Sequence, residues 1–217
     1  MQTATLVTGG ANGIGREIVR ARRARGETVI VLDRAPPPPD LDCRYVQIEL
    51  RDEETLARFL ALECARLRIT RLVNCAGVAL LASLETLAPE DFRTTMDVNL
   101  LAPTMIAQAC LPAMREERFG RIVNIASRAA LGRALRTSYA SSKAALIAAT
   151  RVWALELGRF GITVNAVAPG PIETDLYRLA NPADDPATQK IRSAIPVGRL
   201  GTADDVAFAV DFFLNER

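Results

Sequence analysis

Tyr139 and Lys143 are the residues whose types and spacing point most directly to chemistry. The chain holds three tyrosines and two lysines in 217 residues, and this pair lies four apart in Thr137-Ser138-Tyr139-Ala140-Ser141-Ser142-Lys143. Four residues on a helix bring two side chains onto one face, so a phenol and an ammonium would meet there. A free phenol is a poor base at neutral pH, because its ordinary pKa is near ~10. A positive charge close by favours the phenolate, which turns such a residue into a usable general base, or the matching acid in the reverse direction. The chain uses 25 arginines and only two lysines. A compact ammonium with rotatable donors, placed here in an arginine-rich chain, suits a task that a planar guanidinium would not perform.

A second stretch could hold a ligand. Thr3 to Thr8 is a short apolar run that reads as a buried strand, followed by Gly9-Gly10-Ala11-Asn12-Gly13-Ile14-Gly15 and then a helical pattern ending near Gly26. Strand, glycine turn and helix together allow close approach of the backbone to a diphosphate, which the free N–H groups and dipole of the helix N-terminus attract. Thr28 to Leu32 reads as another buried strand and ends on Asp33. A carboxylate there can accept hydrogen bonds from both ribose hydroxyls of an adenosine and would repel a 2′-phosphate, which favours NAD. Arg34, the next residue, could pair with that phosphate and keeps NADP open.

These residues need a scaffold, and the chain supplies an alternation of short apolar runs and longer helical segments. Strand candidates follow at Arg44 to Leu50, Arg71 to Cys75, Arg121 to Ala126 and Ile162 to Val167. Helical segments lie at Glu53 to Leu67, from Pro89 to about Met114 with a kink or restart at Pro103, and from Ser138 to Leu157. The pattern predicts one α/β domain spanning residues 1–217: a Rossmann-like, doubly wound parallel sheet with helices on both faces. The segment 175–196 is rich in breakers and weak in periodicity, and it follows the sixth strand, on the side where ligands bind such sheets. It reads as a mobile substrate lid, with Leu176, Tyr177, Leu179 and Ile191 making a partly apolar wall.

Composition narrows the function classes. A net charge of +2 is too small to make nucleic acid or an anionic membrane the expected partner, and Arg16, Arg20, Arg22, Arg23 and Arg25 read as one solvated helix face. The chain has no histidine, and Cys43, Cys64, Cys75 and Cys110 show no C-x-x-C spacing. The usual zinc sets cannot be built from this inventory, and no metal is expected. No apolar stretch approaches the roughly 20 residues of a membrane helix, and the N-terminus lacks a secretory pattern. The expectation is a cytoplasmic protein with reduced thiols.

With these pieces placed, the chain resembles the short-chain dehydrogenase/reductase family along essentially its whole length. Thr8-Gly9-x-x-x-Gly13-Ile14-Gly15 resembles the family's cofactor turn, Asn74-Cys75-Ala76-Gly77 its N-N-A-G signature, and Tyr139-x-x-x-Lys143 its catalytic pair. Asn99, in Met96-Asp97-Val98-Asn99-Leu100, stands where the family keeps a catalytic asparagine, and Ser127, in Asn124-Ile125-Ala126-Ser127, where it keeps a catalytic serine. Pro169-Gly170-Pro171-Ile172-Glu173-Thr174 is similar to the loop beside the nicotinamide.

The resemblance implies hydride transfer between NAD and a secondary alcohol or ketone. Tyr139 would be the general acid or base, Lys143 would also bond the nicotinamide ribose, Ser127 would hold the substrate oxygen, and Asn99 would retain a water leading to Lys143. Gly9, Asn12, Gly13, Ile14, Gly15, Asp33, Asn74, Ala76, Gly77, Tyr139, Lys143, Pro169, Gly170, Ile172 and Thr174 would bind the cofactor. Thr174 would bond the carboxamide, or else cap a helix. It also implies pairing of the two long helices into a homodimer or homotetramer. Two alternatives stand: an NADP-dependent reductase of 3-oxoacyl thioesters, and a dinucleotide-binding sensor or scaffold without turnover. The chain departs from the family pattern at Cys75 for the second asparagine, at Glu49-Leu50 for Asp-Val, and in having Ser127 one residue closer to Tyr139 than is commonest. It also ends at Arg217, where a seventh strand and a Gly-Gly-rich tail would follow. Either the sequence is shortened or that edge strand is missing.

Overall fold

The computed structural model describes residues 2–174, 177–178, 181–182 and 184–216. Six parallel strands form one sheet in the order β3-β2-β1-β4-β5-β6: β1 (Thr3–Thr8), β2 (Thr28–Asp33), β3 (Arg44–Gln47), β4 (Arg68–Asn74), β5 (Gly120–Ile125) and β6 (Ile162–Val167). Chain order runs outward from β1 in one direction and then, after β3, outward from β4 in the other. The ends of β1 and β4 therefore lie side by side where the winding reverses, which is where open parallel sheets bind ligands.

Period-two alternation sorts the strand residues onto two cores. Ala4, Leu6, Ile30, Leu32, Ile122 and Val164 face one side, against Leu56 and Leu60 of α2 (Glu53–Arg66), Ile106, Cys110 and Met114 of α4 (Ala102–Glu116), and Leu157 of α5 (Thr137–Leu157). Val7, Val29, Val31, Val73, Val123 and Ile125 face the other, against Ile18 and Val19 of α1 (Gly13–Ala24) and Val206, Val210 and Leu214 of α7 (Ala203–Leu214). Ile69 and Leu72 share a face despite their odd spacing, because the β1–β4 register shifts between Ala4 and Thr5, at Thr70. One extra residue in a strand restores the alternation after it.

The expected parallel sheet, with helices on both faces, is what the structure holds. Differences are local. The segment from Pro89 is not one helix: α3 (Pro89–Met96) passes through a π-helical turn, Asp97–Leu101, into α4. Pro103 has no N–H to offer the Asn99 carbonyl four residues back, and a wider turn accommodates that gap. β3 stops at Gln47 rather than Leu50.

Arg22 corrects the reading of a solvated basic face. Its side chain is only 2% exposed and is ion-paired with Glu27 and Asp211, tying α1 to α7. Arg16 and Arg20 meet Asp40, and Arg23 meets Asp42, on the outside as expected. Of the proposed lid, Asp175, Leu176, Leu179, Ala180 and Ala183 lie outside the described residues; the described part carries a short helix, α6 (Pro186–Ser193). Among the described residues no helix is long and apolar enough to cross a membrane.

Candidate active site

A cleft of about 780 Å³ opens over the carboxyl ends of the strands. One end is built from backbone. Gly9 has φ +72°, and a Cβ there would lie 2.7 Å from the Ala76 Cα, so the turn after β1 can touch the turn after β4 only as glycine. At Gly15 an added Cβ would fall 2.0 Å from the Gly9 carbonyl oxygen. Thr8 holds the two turns together, its hydroxyl oxygen accepting from Cys75 N and Ala76 N at 3.1 Å each.

The N-terminus of α1 is chemically bare. Asn12 makes no side-chain cap and the first turn holds no acid, whereas α2 is capped by Asp52 and α7 by a Thr202–Asp205 capping box. Free N–H groups facing a cleft are ready for an anion. Asp33, at the end of β2, accepts from Ala11 N through one carboxylate oxygen and from Ala35 N through the other, both at 2.9 Å. Those bonds hold the carboxylate still at the cleft wall, with Arg34 beside it.

The other end is built from side chains on α5. Lys143 is 3% exposed, and its ammonium donates to the Ile125 carbonyl at 2.7 Å, just beyond the Tyr139 ring, whose centroid is 5.8 Å away. Burial pushes the Lys143 pKa down to about 8, with the Cys75 thiol acting weakly in the opposite sense. Among the described residues no carboxylate pairs with this ammonium. Burial likewise pushes Cys75 up to about 12, so it lines the cleft as a neutral thiol. Ser127 caps the 3₁₀ turn Arg128–Leu131, its oxygen accepting from Ala129 N at 3.1 Å, which leaves its O–H to point elsewhere.

The structure brings to this cleft Gly9, Asn12, Gly13, Ile14, Gly15, Asp33, Ala76, Gly77, Ser127, Tyr139, Lys143, Pro169, Gly170, Ile172 and Thr174. Two of the expected residues, Asn74 and Asn99, stand behind the wall instead. Asn74 donates to Asn124, which donates to Thr150, a buried polar chain running from β4 to α5. Asn99 is fully buried in the π-helical turn. It accepts from Val78 N at 2.9 Å, and donates to Val78 O at 3.0 Å and to the Ser142 hydroxyl at 2.9 Å. Ser142 in turn donates to the Tyr139 carbonyl at 2.8 Å, so Asn99 braces the helix that carries the pair. Thr174 accepts from Tyr177 N at 3.2 Å while its methyl lies close to Gly13.

Sequence reasoning did not single out Thr8 for its bracing role, nor Arg128, Arg133 and Arg136, which also line the cleft. Thr8 could have been found from its place directly before the glycine turn. The arginines sit in an irregular loop, and nothing in their spacing marks them.

A bare helix N-terminus behind a glycine turn, a fixed carboxylate at the second strand and a Tyr–Lys pair beside the end of β5 are what a dinucleotide-dependent oxidoreductase on a Rossmann-like fold would need. Comparison with known proteins agrees: a family model described as enoyl-(acyl carrier protein) reductase matches residues 9–217. The chain belongs to the short-chain dehydrogenase/reductase family, and its activity is NAD(P)-dependent. It is 34% identical over 221 residues to the 3-oxoacyl-[acyl-carrier-protein] reductase FabG of Vibrio harveyi, spanning 97% of this chain and 88% of that protein. Among solved structures, ElxO with NADP bound superposes with a TM-score of 0.90 at 30% identity, covering 100% of this chain and 92% of that one. A 4-hydroxyisoleucine dehydrogenase complexed with NADH superposes with a TM-score of 0.87 at 27% identity, covering 100% and 92%.

Proposed function

We propose that the protein interconverts a secondary alcohol and a ketone with NAD(H), using Tyr139 as general acid and base. The observation that carries this reading is Lys143: a buried ammonium that no carboxylate among the described residues pairs with, next to the Tyr139 ring, at the floor of a cleft whose other end suits a diphosphate. The buried ammonium has three donors and meets the Ile125 carbonyl with one of them; the ribose hydroxyls of a dinucleotide would supply further partners. The cradle fits that group, since Gly9 and Gly15 leave no room for a side chain and α1 offers uncapped amides.

When bound, the nicotinamide supplies or takes up the hydride. Gly9, Asn12, Gly13, Ile14 and Gly15 would hold the diphosphate; Ala76 and Gly77 would flank the adenosine side, and Pro169, Gly170, Ile172 and Thr174 the nicotinamide side. Tyr139 takes the alcohol proton in oxidation and returns it to the carbonyl oxygen in reduction. Ser127 donates its free O–H to that oxygen. Lys143 holds the ribose and keeps a positive field at the phenol. Asn99 positions α5 through Ser142, and its carbonyl, spared by Pro103, is suited to a water leading toward Lys143. Asn74 supports the wall through Asn124. The segment 175–196 would close over the substrate through Tyr177, Asn181 and Ile191.

NAD is the favoured cofactor because the pinned Asp33 carboxylate would accept from the ribose diol and repel a 2′-phosphate. The relatives include one bound to NADH and one to NADP. The likeness to FabG, with Arg34 beside Asp33, supports a second reading: NADP-dependent reduction of a 3-oxoacyl thioester. A panel of alcohols, ketones and 3-oxoacyl thioesters assayed with NAD(H) and NADP(H) separates them. Turnover of ketones with NADH supports the first reading, turnover of thioesters with NADPH only supports the second, and nucleotide binding without any turnover would point to a sensor. Leu101 on the turn before α4, and Val152 and Leu155 on α5, are exposed apolar residues that support a homodimer or homotetramer, which sedimentation would reveal.

A further inference from the structure

The cleft is not evenly charged. At the end built on the glycine turn, Asp33 and Glu49 accompany Arg34 and Arg51. Beyond Tyr139 and Ser127 the charged wall residues are Arg128, Arg133 and Arg136, and among the described residues no acid pairs with any of them. Other arginines of this chain sit on carboxylates, as Arg44 on Glu63 and Arg199 on Asp205, though not all do. Arg136 is half-buried, with its guanidinium carbon 6.0 Å from the Tyr139 ring centroid. Burial and the neighbouring charge of Arg133 both weigh against its protonated form.

The backbone holds Arg136 in place. Leu135 adopts φ 61°, a left-handed conformation that disfavours a side chain, and its carbonyl accepts from Ala82 N at 3.2 Å. A parallel bridge joins Ala82 to Arg136, which fastens this loop to the one after β4. Arg136 is also the residue on which α5 starts, and α5 has neither a side-chain cap nor an acid in its first turn. The helix dipole and the arginines therefore reinforce one another at a single place.

We propose that the substrate is an anion whose carboxylate or phosphate is received by Arg136, backed by Arg133, within one helical turn of the reacting tyrosine. A guanidinium fork matches either group in a bidentate pair. The alcohol or ketone is then a small acid that carries its charged group a few bonds from the reacting carbon. This rests on the hydride-transfer reading of the same cleft and names its substrate class.

The test uses the full chain with NADH bound, titrated with malonate, with uncharged malonamide and with inorganic phosphate, followed by NADH fluorescence. The expected result is that malonate or phosphate binds at least about tenfold more tightly than malonamide, as for charge-assisted bonds. That gap should close to within about threefold in Arg136→Gln and return in part in Arg136→Lys. Tighter binding of phosphate than malonate assigns a phosphate-bearing substrate, and the reverse order a carboxylate. If Arg136→Gln does not fold, the exposed Arg133→Gln carries the comparison, with a smaller narrowing expected. No preference for the anions in the parent protein, or a gap that survives in both glutamine variants, overturns the inference. Failure to bind NADH at all would instead refute the cofactor reading beneath it.

Discussion

The two ends of the cleft are made in different ways. At the end proposed to hold the dinucleotide the wall is main chain: Gly9 against Ala76, Gly15 against the Gly9 carbonyl, and the open amides of α1. At the Tyr139 end the wall is side chain, with Lys143 and Ser127 on or beside α5 and Arg136 at its start. A backbone cradle tolerates no added atom but needs no titration, whereas a side-chain site tolerates changes in shape and depends on charge. Substitutions at the first end should therefore act on binding and stability, and those at the second on turnover and its pH dependence.

The largest effect separating the two ends should come from Tyr139→Phe, which removes the proposed proton carrier and leaves the cradle untouched. Turnover of the best substrate should fall about a thousandfold, within the range for general acid–base catalysis, as measured by NADH absorbance. Gly15→Ala tests the opposite end. Its Cβ would sit 2.0 Å from a backbone oxygen, so the turn must shift, at a cost of about 3 kcal/mol. A thermal melt should drop by roughly 6–12 °C, and NADH titration should show affinity lost along with stability.

Next in size is a charge effect confined to the Tyr139 end. Lys143 falls from an ordinary 10.5 to about 8 on folding, so the folded protein holds its proton less tightly than the unfolded chain. The cost of burying its charge is fully present below pH 8 and is relieved as pH rises through about 8 toward 10.5. Compared with Lys143→Met, the parent protein without nucleotide should gain about 2 kcal/mol between pH 7.5 and 9.5. Urea unfolding of both proteins at the two pH values checks this, and a constant difference would contradict it. The smallest effect is one of selectivity. Asp33→Asn should shift the ratio of NADPH to NADH affinity by about tenfold toward NADPH, or roughly 1.4 kcal/mol, in parallel titrations.

What could be read in the sequence follows the same division. Glycines at 9, 13 and 15 are legible because a backbone contact demands a residue type at a fixed place. Tyr139 and Lys143 are legible because helical spacing converts directly into shared position. The six strands could be read from their apolar runs, since a sheet covered on both faces needs little else. Asn99 and Asn74 were located through the family resemblance, but their places behind the wall depend on tertiary packing: a π-helical turn just before Pro103 for one and a chain through Asn124 to Thr150 for the other. Arg22 looked like one more surface arginine because its partner Asp211 is 189 residues away. Arg136 stayed hidden for a similar reason. A bridge to Ala82 fixes its main chain at the cleft, and no local pattern encodes that bridge.

The division of labour between the two ends is tested most directly by titrating Tyr139→Phe with NADH and following fluorescence. A dissociation constant within about twofold of the parent, in a protein whose turnover has gone, is the predicted result. Loss of NADH affinity in step with turnover, or turnover that survives the substitution, would contradict it.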